Sequence, residues 1–168
     1  MMNSHLKKLI LTFICALCLG TAQAITMQVC FTPGADCQGM IAKEIVKAHH
    51  SVYVQAYRLT NKAIINALYK ARKNGAIVTI VVDKQAKQEA LRLIEQGFSV
   101  LIDYKPRIAH NKVMVIDDIT VITGSFNFTK AAQKYNAENV LIIEDSKIAK
   151  QYEDNFFKRE HLSRRVEE

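Results

Sequence analysis

The chain has no tryptophan, two prolines, six glycines and four cysteines in 168 residues. So few turn formers exclude collagen-like and low-complexity chains, and no Pro- or Gly-rich linker divides the sequence. No repeat of fixed period is present, which excludes solenoids and propellers. Hydrophobic residues make up 49%, too many for intrinsic disorder and enough for one packed domain. Cysteines and clustered histidines are too few to complete a zinc set. Acidic residues are in deficit, 16 against 23 Lys and Arg. That balance suits a polyanion, either nucleic acid or an anionic membrane surface, although it also serves solubility alone.

Residues 1–24 read as a secretory signal peptide. Lys7 and Lys8 form a positive start, Leu9 to Leu19 an apolar run, and Ala22-Gln23-Ala24 a small-x-small cleavage site. The run falls short of the roughly 20 apolar residues of a spanning helix. The alternative is a segment retained as an anchor. With cleavage, residues 25–168 form a single catalytic domain, secreted and periplasmic, with no stable membrane association. Cys15 and Cys18 leave with the signal. Cys30 and Cys37 remain, separated by a Pro33-Gly34 turn, and an oxidising compartment favours a structural disulfide between them.

Periodicity predicts helices over Met40 to Ala48, over Asn61 to Asn74 with Thr60 as cap, over Ala86 to Gln96, and from Ser146 to about Arg159. Thr129 to Gln133 adds a helical turn. Strands are expected over Ser51 to Tyr57, Ile77 to Val82, Ser99 to Ile102, His110 to Ile116, Thr120 to Thr123 and Val140 to Ile143. Helix and strand alternate early and turn hairpin-like in the middle. This predicts an α/β fold: an α-β-α sandwich with a mixed sheet and helices on both faces.

The stretch "HNKVMVID", residues 110–117, sets an imidazole, an ammonium and a carboxylate into an apolar strand. His110 and Lys112 share a face, since strand residues two apart point the same way. Ser125 and Asn127 repeat that spacing on a neighbouring segment, and Glu138 stands just before another strand. Lys112 and Asn127 can donate to phosphate oxygens. His110 can attack phosphorus. Glu138 can orient the imidazole through its second nitrogen. Asp117, at the strand end, can bond turn N–H groups. The leaving oxygen then needs a second acid.

The pattern "HNKVMVID" followed by "GSFN", with "VYVQAYRLTNKAIINALYKARKNGAIVTIVVD" before it, resembles the phospholipase D superfamily. It is most similar to that superfamily's small bacterial endonucleases, which carry one motif. The resemblance implies a homodimer in which two copies of His110 face one phosphorus. One attacks to give a phosphohistidine, and the other serves as general acid and then base, without metal or cofactor. It makes Asp117 mainly structural. Asp118 stands where many members have a small residue.

Other polar residues carry weaker signals. His49-His50 reads as a helix end, where cations favour the dipole. Lys105 and Arg107, just before the motif, are candidates to line a substrate groove. Tyr57 and Tyr104 either stack on bases or pack. The sequence therefore predicts a non-specific endonuclease acting on DNA or RNA. The alternatives are a phospholipase D acting on lipid headgroups and a catalytically silent nucleic-acid-binding module.

Overall fold

A computed structural model describes residues 25–166 of the chain, so the expected signal segment lies outside the described residues. Strand β1 (Thr26–Thr32) leads into helix α1 (Cys37–Ile45), β2 (Ser51–Ala56), α2 (Lys62–Lys73) and β3 (Ile77–Asp83). There follow α3 (Lys87–Glu95), β4 (Ser99–Asp103), β5 (Lys112–Ile116), β6 (Thr120–Gly124) and α4 (Lys130–Lys134). The described chain closes with β7 (Glu138–Glu144), α5 (Ser146–Leu162) and the short β8 (Arg164–Arg165).

The strands form one sheet in the order β1-β7-β6-β5-β2-β3-β4-β8. β2, β3 and β4 run parallel, and the other pairings are antiparallel, so the sheet is mixed as expected. Apolar side chains of β2 to β7 on one face pack with Ile41, Ile64, Leu68 and Leu93 from α1, α2 and α3. Val113, Val115, Val121 and Ile143 point the other way and pack against α5 through Ala149 and Tyr152. Both faces thus carry helices.

Local chemistry explains the elements. In α2, Ile64, Ala67, Leu68 and Ala71 are buried, a stripe that returns once per turn. Burying each larger side chain contributes about 1.5–3 kcal/mol. Asn61, and not Thr60, caps this helix, its Oδ1 accepting from the N–H groups of Ala63 and Ile64. Gly75, at φ +103°, lets the chain leave it.

Three expectations need correction. Helix α1 starts at Cys37 and ends at Ile45, earlier than the periodicity suggested, because Asp36 caps it and accepts from Gly39. Strand β1 went unforeseen. Its alternating Met27, Val29 and Phe31 lie on an exposed face rather than in the core. His49-His50 does not end a helix. It belongs to a bend whose backbone donates to Asp117. The sulfurs of Cys30 and Cys37 are bonded, tying the end of β1 to the start of α1.

Asp117 fastens the β5–β6 turn to the start of β2. Its carboxylate accepts from the N–H groups of His49 (2.8 Å), His50 (2.8 Å) and Ser51 (2.9 Å). Burial pushes this carboxyl up, but the backbone donors and the His50 charge outweigh it and hold it below the usual carboxylate range. A depressed native pKa contributes stability that is complete above about pH 3.9, the unfolded value, and fades as pH falls through the native one. Asp117→Asn is therefore expected to lower stability at neutral pH by about 1–3 kcal/mol. Denaturant titrations of both proteins should converge as the pH drops below that window; a gap that persists in acid would contradict the assignment.

Candidate active site

The polar residues singled out from the sequence gather at one edge of the sheet, because antiparallel pairing brings opposite strand ends together. The first residue of β5, Lys112, pairs with the last of β2, Ala56. The end of β6, Gly124, pairs with Val140 near the start of β7. The first residue of β7, Glu138, pairs with the last of β1, Thr32. Asp83 and Asp103 end β3 and β4 side by side. Asp117 stands apart, five residues along β5 from Lys112 or about 16 Å at strand rise, so the structure gives it no place among the reacting groups.

Lys112 and His110 are in contact. The Lys112 Nζ donates to the backbone oxygen of His110 at 2.7 Å and lies 2.9 Å from its Nδ1. Lys112 is 93% withdrawn from solvent, at 7% exposure, whereas His110 is exposed. The Tyr57 ring lies 4.6 Å from the imidazole, centre to centre, and 5.3 Å from the ammonium, within cation–π reach. Burial pushes the Lys112 ammonium down from the ordinary lysine range, and the negative charge of Glu138 acts the other way. His110 and Asn111 precede the strand ladder rather than belonging to it. The Asn111 carbonyl still accepts from Tyr57 N–H at 2.9 Å.

Glu138 does not reach His110. One oxygen accepts from Ser125 Oγ at 2.6 Å and the other from Asn136 Nδ2 at 2.9 Å. Its expected role as orienting partner of the imidazole is therefore corrected: within the chain the carboxylate is satisfied by Ser125, just past β6, and by Asn136, in the bend before β7. Ser125 also accepts from Asn139 N–H at 3.0 Å. The N–H groups of Ser125 and Phe126 both donate to the Asn139 oxygen. A Cβ on Gly124, at φ +141°, would stand 2.3 Å from that same oxygen. Only glycine admits this turn. Asn127 sits between the buried Phe126 and Phe128, which hold its backbone still. Among the described residues its Oδ1 is buried without a hydrogen-bond partner, a cost of about 1–3 kcal/mol, and as an acceptor it calls for a donor, leaving Nδ2 as the atom that can donate to a phosphate.

Sequence reasoning missed the groups that hold the His110 loop. Asp83, fully buried, accepts from Ala109 N–H at 2.6 Å and from Gln85 N–H at 2.9 Å. Asp103 accepts from Lys105 N–H at 3.1 Å and pairs with Arg159 of α5. Lys84 Nζ donates to the Pro106 oxygen at 3.1 Å. The available signal was three apolar runs that each end in aspartate, "IVVD", "VLID" and "VMVID". Lys105 and Arg107 are exposed on this loop and form no ion pair among the described residues. Also among the described residues, no group of three or more His, Cys, Asp or Glu side chains is arranged to hold a metal.

Residues 41–160 match the family described as cardiolipin synthase, PLD-like domain. A phospholipase D of Rickettsia prowazekii is 46% identical over 141 residues, spanning 82% of this chain and 69% of that protein. The crystal structure of Nuc, a phospholipase D family member from Salmonella typhimurium, is similar with a TM-score of 0.80 and 30% identity. That match covers 86% of this chain and all of Nuc. NucT from Helicobacter pylori shares the fold at a TM-score of 0.78 and 22% identity, over 85% of this chain and 100% of NucT.

The buried Asp83 carboxylate sets the backbone one residue before His110, so its loss should act on geometry. Asp83→Ala is expected to lower kcat by about tenfold or more, since a misplacement of about 1 Å can cost 10²-fold. Limited trypsin digestion should cut faster after Arg107 on the loosened loop. Unchanged kinetics and unchanged digestion would remove Asp83 from this role.

Proposed function

Because the chain belongs to the phospholipase D superfamily and is a phosphodiesterase of that kind, we propose that it cleaves nucleic acid through a phosphohistidine on His110. The observation that carries this reading is the His110–Lys112 contact at the open sheet edge, with Asn127 and the Ser125–Glu138 pair on adjoining segments. An exposed imidazole beside a buried ammonium is a nucleophile next to a fixed positive charge.

The reaction runs in two displacements. A nitrogen of His110 attacks phosphorus, and the bond to the leaving oxygen breaks. Lys112, together with Asn127, takes the developing charge on the non-bridging oxygens, a contribution of about 2.7–4 kcal/mol for a single such donor elsewhere. As the ammonium turns to phosphate it releases Nδ1 of the imidazole. The leaving oxygen takes a proton from a second imidazole, which then removes one from water. That water attacks phosphorus and frees His110.

The second imidazole comes from another copy of the chain. A two-fold pairing brings the same patch of each copy together and supplies it naturally. The outer face of β1 supports such a pairing. Ile25, Met27, Val29 and Phe31 are 47–63% exposed in one row, which ends beside Thr32, the partner of Glu138. An apolar edge of this kind calls for a cover. The disulfide and the residue 1–24 pattern favour an oxidising compartment, by this reading the periplasm.

The basic balance favours nucleic acid. The second reading, hydrolysis of a phospholipid headgroup, is favoured by the Rickettsia relative's description as a phospholipase D. The same site serves either phosphodiester. Side-by-side hydrolysis of plasmid DNA and phosphatidylcholine in the presence of chelator distinguishes them, and DNA is expected to be cut at an unreduced rate. Acid quenching of labelled substrate should leave phosphate on His110. His110→Ala should lose both label and turnover, and Lys112→Ala should slow turnover about 10²–10³-fold. Label on another residue would overturn the mechanism.

The pH dependence follows from Lys112. The charged form is the working one, and its pKa is lowered, so charge is lost as pH rises through a value below the ordinary lysine range of about 10.4. The alkaline limb of kcat should accordingly begin below that pH. It should move upward in Glu138-intact Lys112→Arg protein, whose guanidinium stays charged. A wild-type rate flat to pH 10.5 would exclude this.

A further inference from the structure

Resting on the nucleic-acid reading, we propose that the cleft between the starts of α2 and α4 is a second phosphate-binding surface. It takes the backbone of a single strand beyond the cleaved bond, and Tyr135 serves as a stacking platform for one of its bases.

The cleft has a volume of about 400 Å³ and is lined by Lys62, Lys130 and Lys134 with Gln38, Thr60 and Asn61. No carboxylate lines it. None of the three lysines takes part in an ion pair among the described residues. Helix ends favour only Lys134 of the three, at the close of α4. Lys62 and Lys130 are the first residues of α2 and α4, where the helix dipole disfavours a cation. Lys130 and Lys134 stand one helical turn apart as like charges, which repel. Three lysines lining one cleft, with no ion-pair partner among the described residues, make a surface that a row of phosphates would stabilise.

The cleft is continuous with the reacting groups. The N–H groups of Thr60 and Asn61 both donate to the Phe128 oxygen at 2.9 Å, and Leu59 forms a bridge to Phe128. Asn127, the expected phosphate ligand, is the residue before. Lys130 follows Asn127 by three residues, so their Cα atoms are at most about 11 Å apart. A strand carries one phosphate per about 3.4 Å of axis. A strand bound at Asn127 therefore brings its next phosphates to these lysines, whereas the single phosphodiester of a simple phospholipid does not extend so far.

Tyr135 is 75% exposed, the most exposed large apolar or aromatic side chain among the described residues. Its backbone is nonetheless held. Its N–H donates to the Ala131 oxygen at 2.8 Å, and the next residue, Asn136, accepts from Thr32 Oγ1 at 3.1 Å and donates to Glu138. A bare aromatic ring on a fixed backbone, between a lysine and an active-site carboxylate, is the element on which unpaired bases stack.

The test separates binding from cleavage. Binding of a short single-stranded oligonucleotide is measured by anisotropy in the catalytically disabled His110→Ala protein, with and without Lys62→Gln, Lys130→Gln and Lys134→Gln together. The triple change is expected to weaken binding at least tenfold. It should also lower the slope of log K against log salt by about 2, at roughly 0.7 per phosphate contact. Tyr135→Ala should cost on the order of tenfold with the slope unchanged. Thermal melts check that the surface changes leave the fold intact. Unaltered affinity and slope in the folded triple variant overturn the proposal. So does a loss of binding to phosphatidylglycerol vesicles with oligonucleotide binding retained. Hydrolysis of bis(p-nitrophenyl) phosphate by the wild-type protein is followed in parallel. Its absence overturns the catalytic reading, which the binding measurements do not touch.

Discussion

A buried backbone N–H must find an acceptor, and this fold answers that demand with carboxylates at strand ends. Asp83, Asp103 and Asp117 each close an apolar run and each accept from the backbone of an irregular segment. Without them, the loop from residue 104 to 111 would have few regular partners, and the bend at His49-His50 would have none for these N–H groups. With them, His110 can leave the strand ladder and stay in place. An exposed nucleophile on an irregular segment needs this support, because a side chain bonded into the sheet interior would be rigid but closed to substrate.

The same economy governs the electrostatics. Lys112 is buried at the end of a strand whose other residues are apolar, so its charge is poorly solvated and costly. The cost is met by the His110 carbonyl and ring, the Tyr57 face and the field of Glu138. A phosphate would meet it better. Asn127 differs: its buried Oδ1, unpaired among the described residues, is an acceptor that calls for a donor, and only its Nδ2 can donate to a phosphate. Around these groups stand further cations that form no ion pair among the described residues, on the His110 loop and in the cleft beside α4. The buried ammonium and these cations are the features that a polyanion would resolve.

Glu138 marks the limit of reasoning from spacing. Its position at the start of β7 was legible to within a residue, as was its company with Ser125. Its partner was not. Whether a carboxylate reaches an imidazole or a hydroxyl depends on which strands adjoin and in what register, and β7 lies beside β6 and β1 rather than beside β5. Likewise the apolar alternation of β1 could be read, but not the side it faced. Period two assigns residues to two faces and does not say which is covered.

The sequence by itself determined the α/β class, most of the strands and helices, the disulfide partners and the closeness of His110 to Lys112. These follow from periodicity, from a short chain distance between cysteines, or from a strand's rule that alternate residues share a face. Tertiary structure alone decided that Asp117 holds the backbone of His49, His50 and Ser51, that Glu138 does not reach His110 of its own chain, and that Asp83 and Asp103 hold the His110 loop. Those pairings join residues far apart in the chain, and only the order and register of the strands bring a given donor within hydrogen-bond reach of a given acceptor.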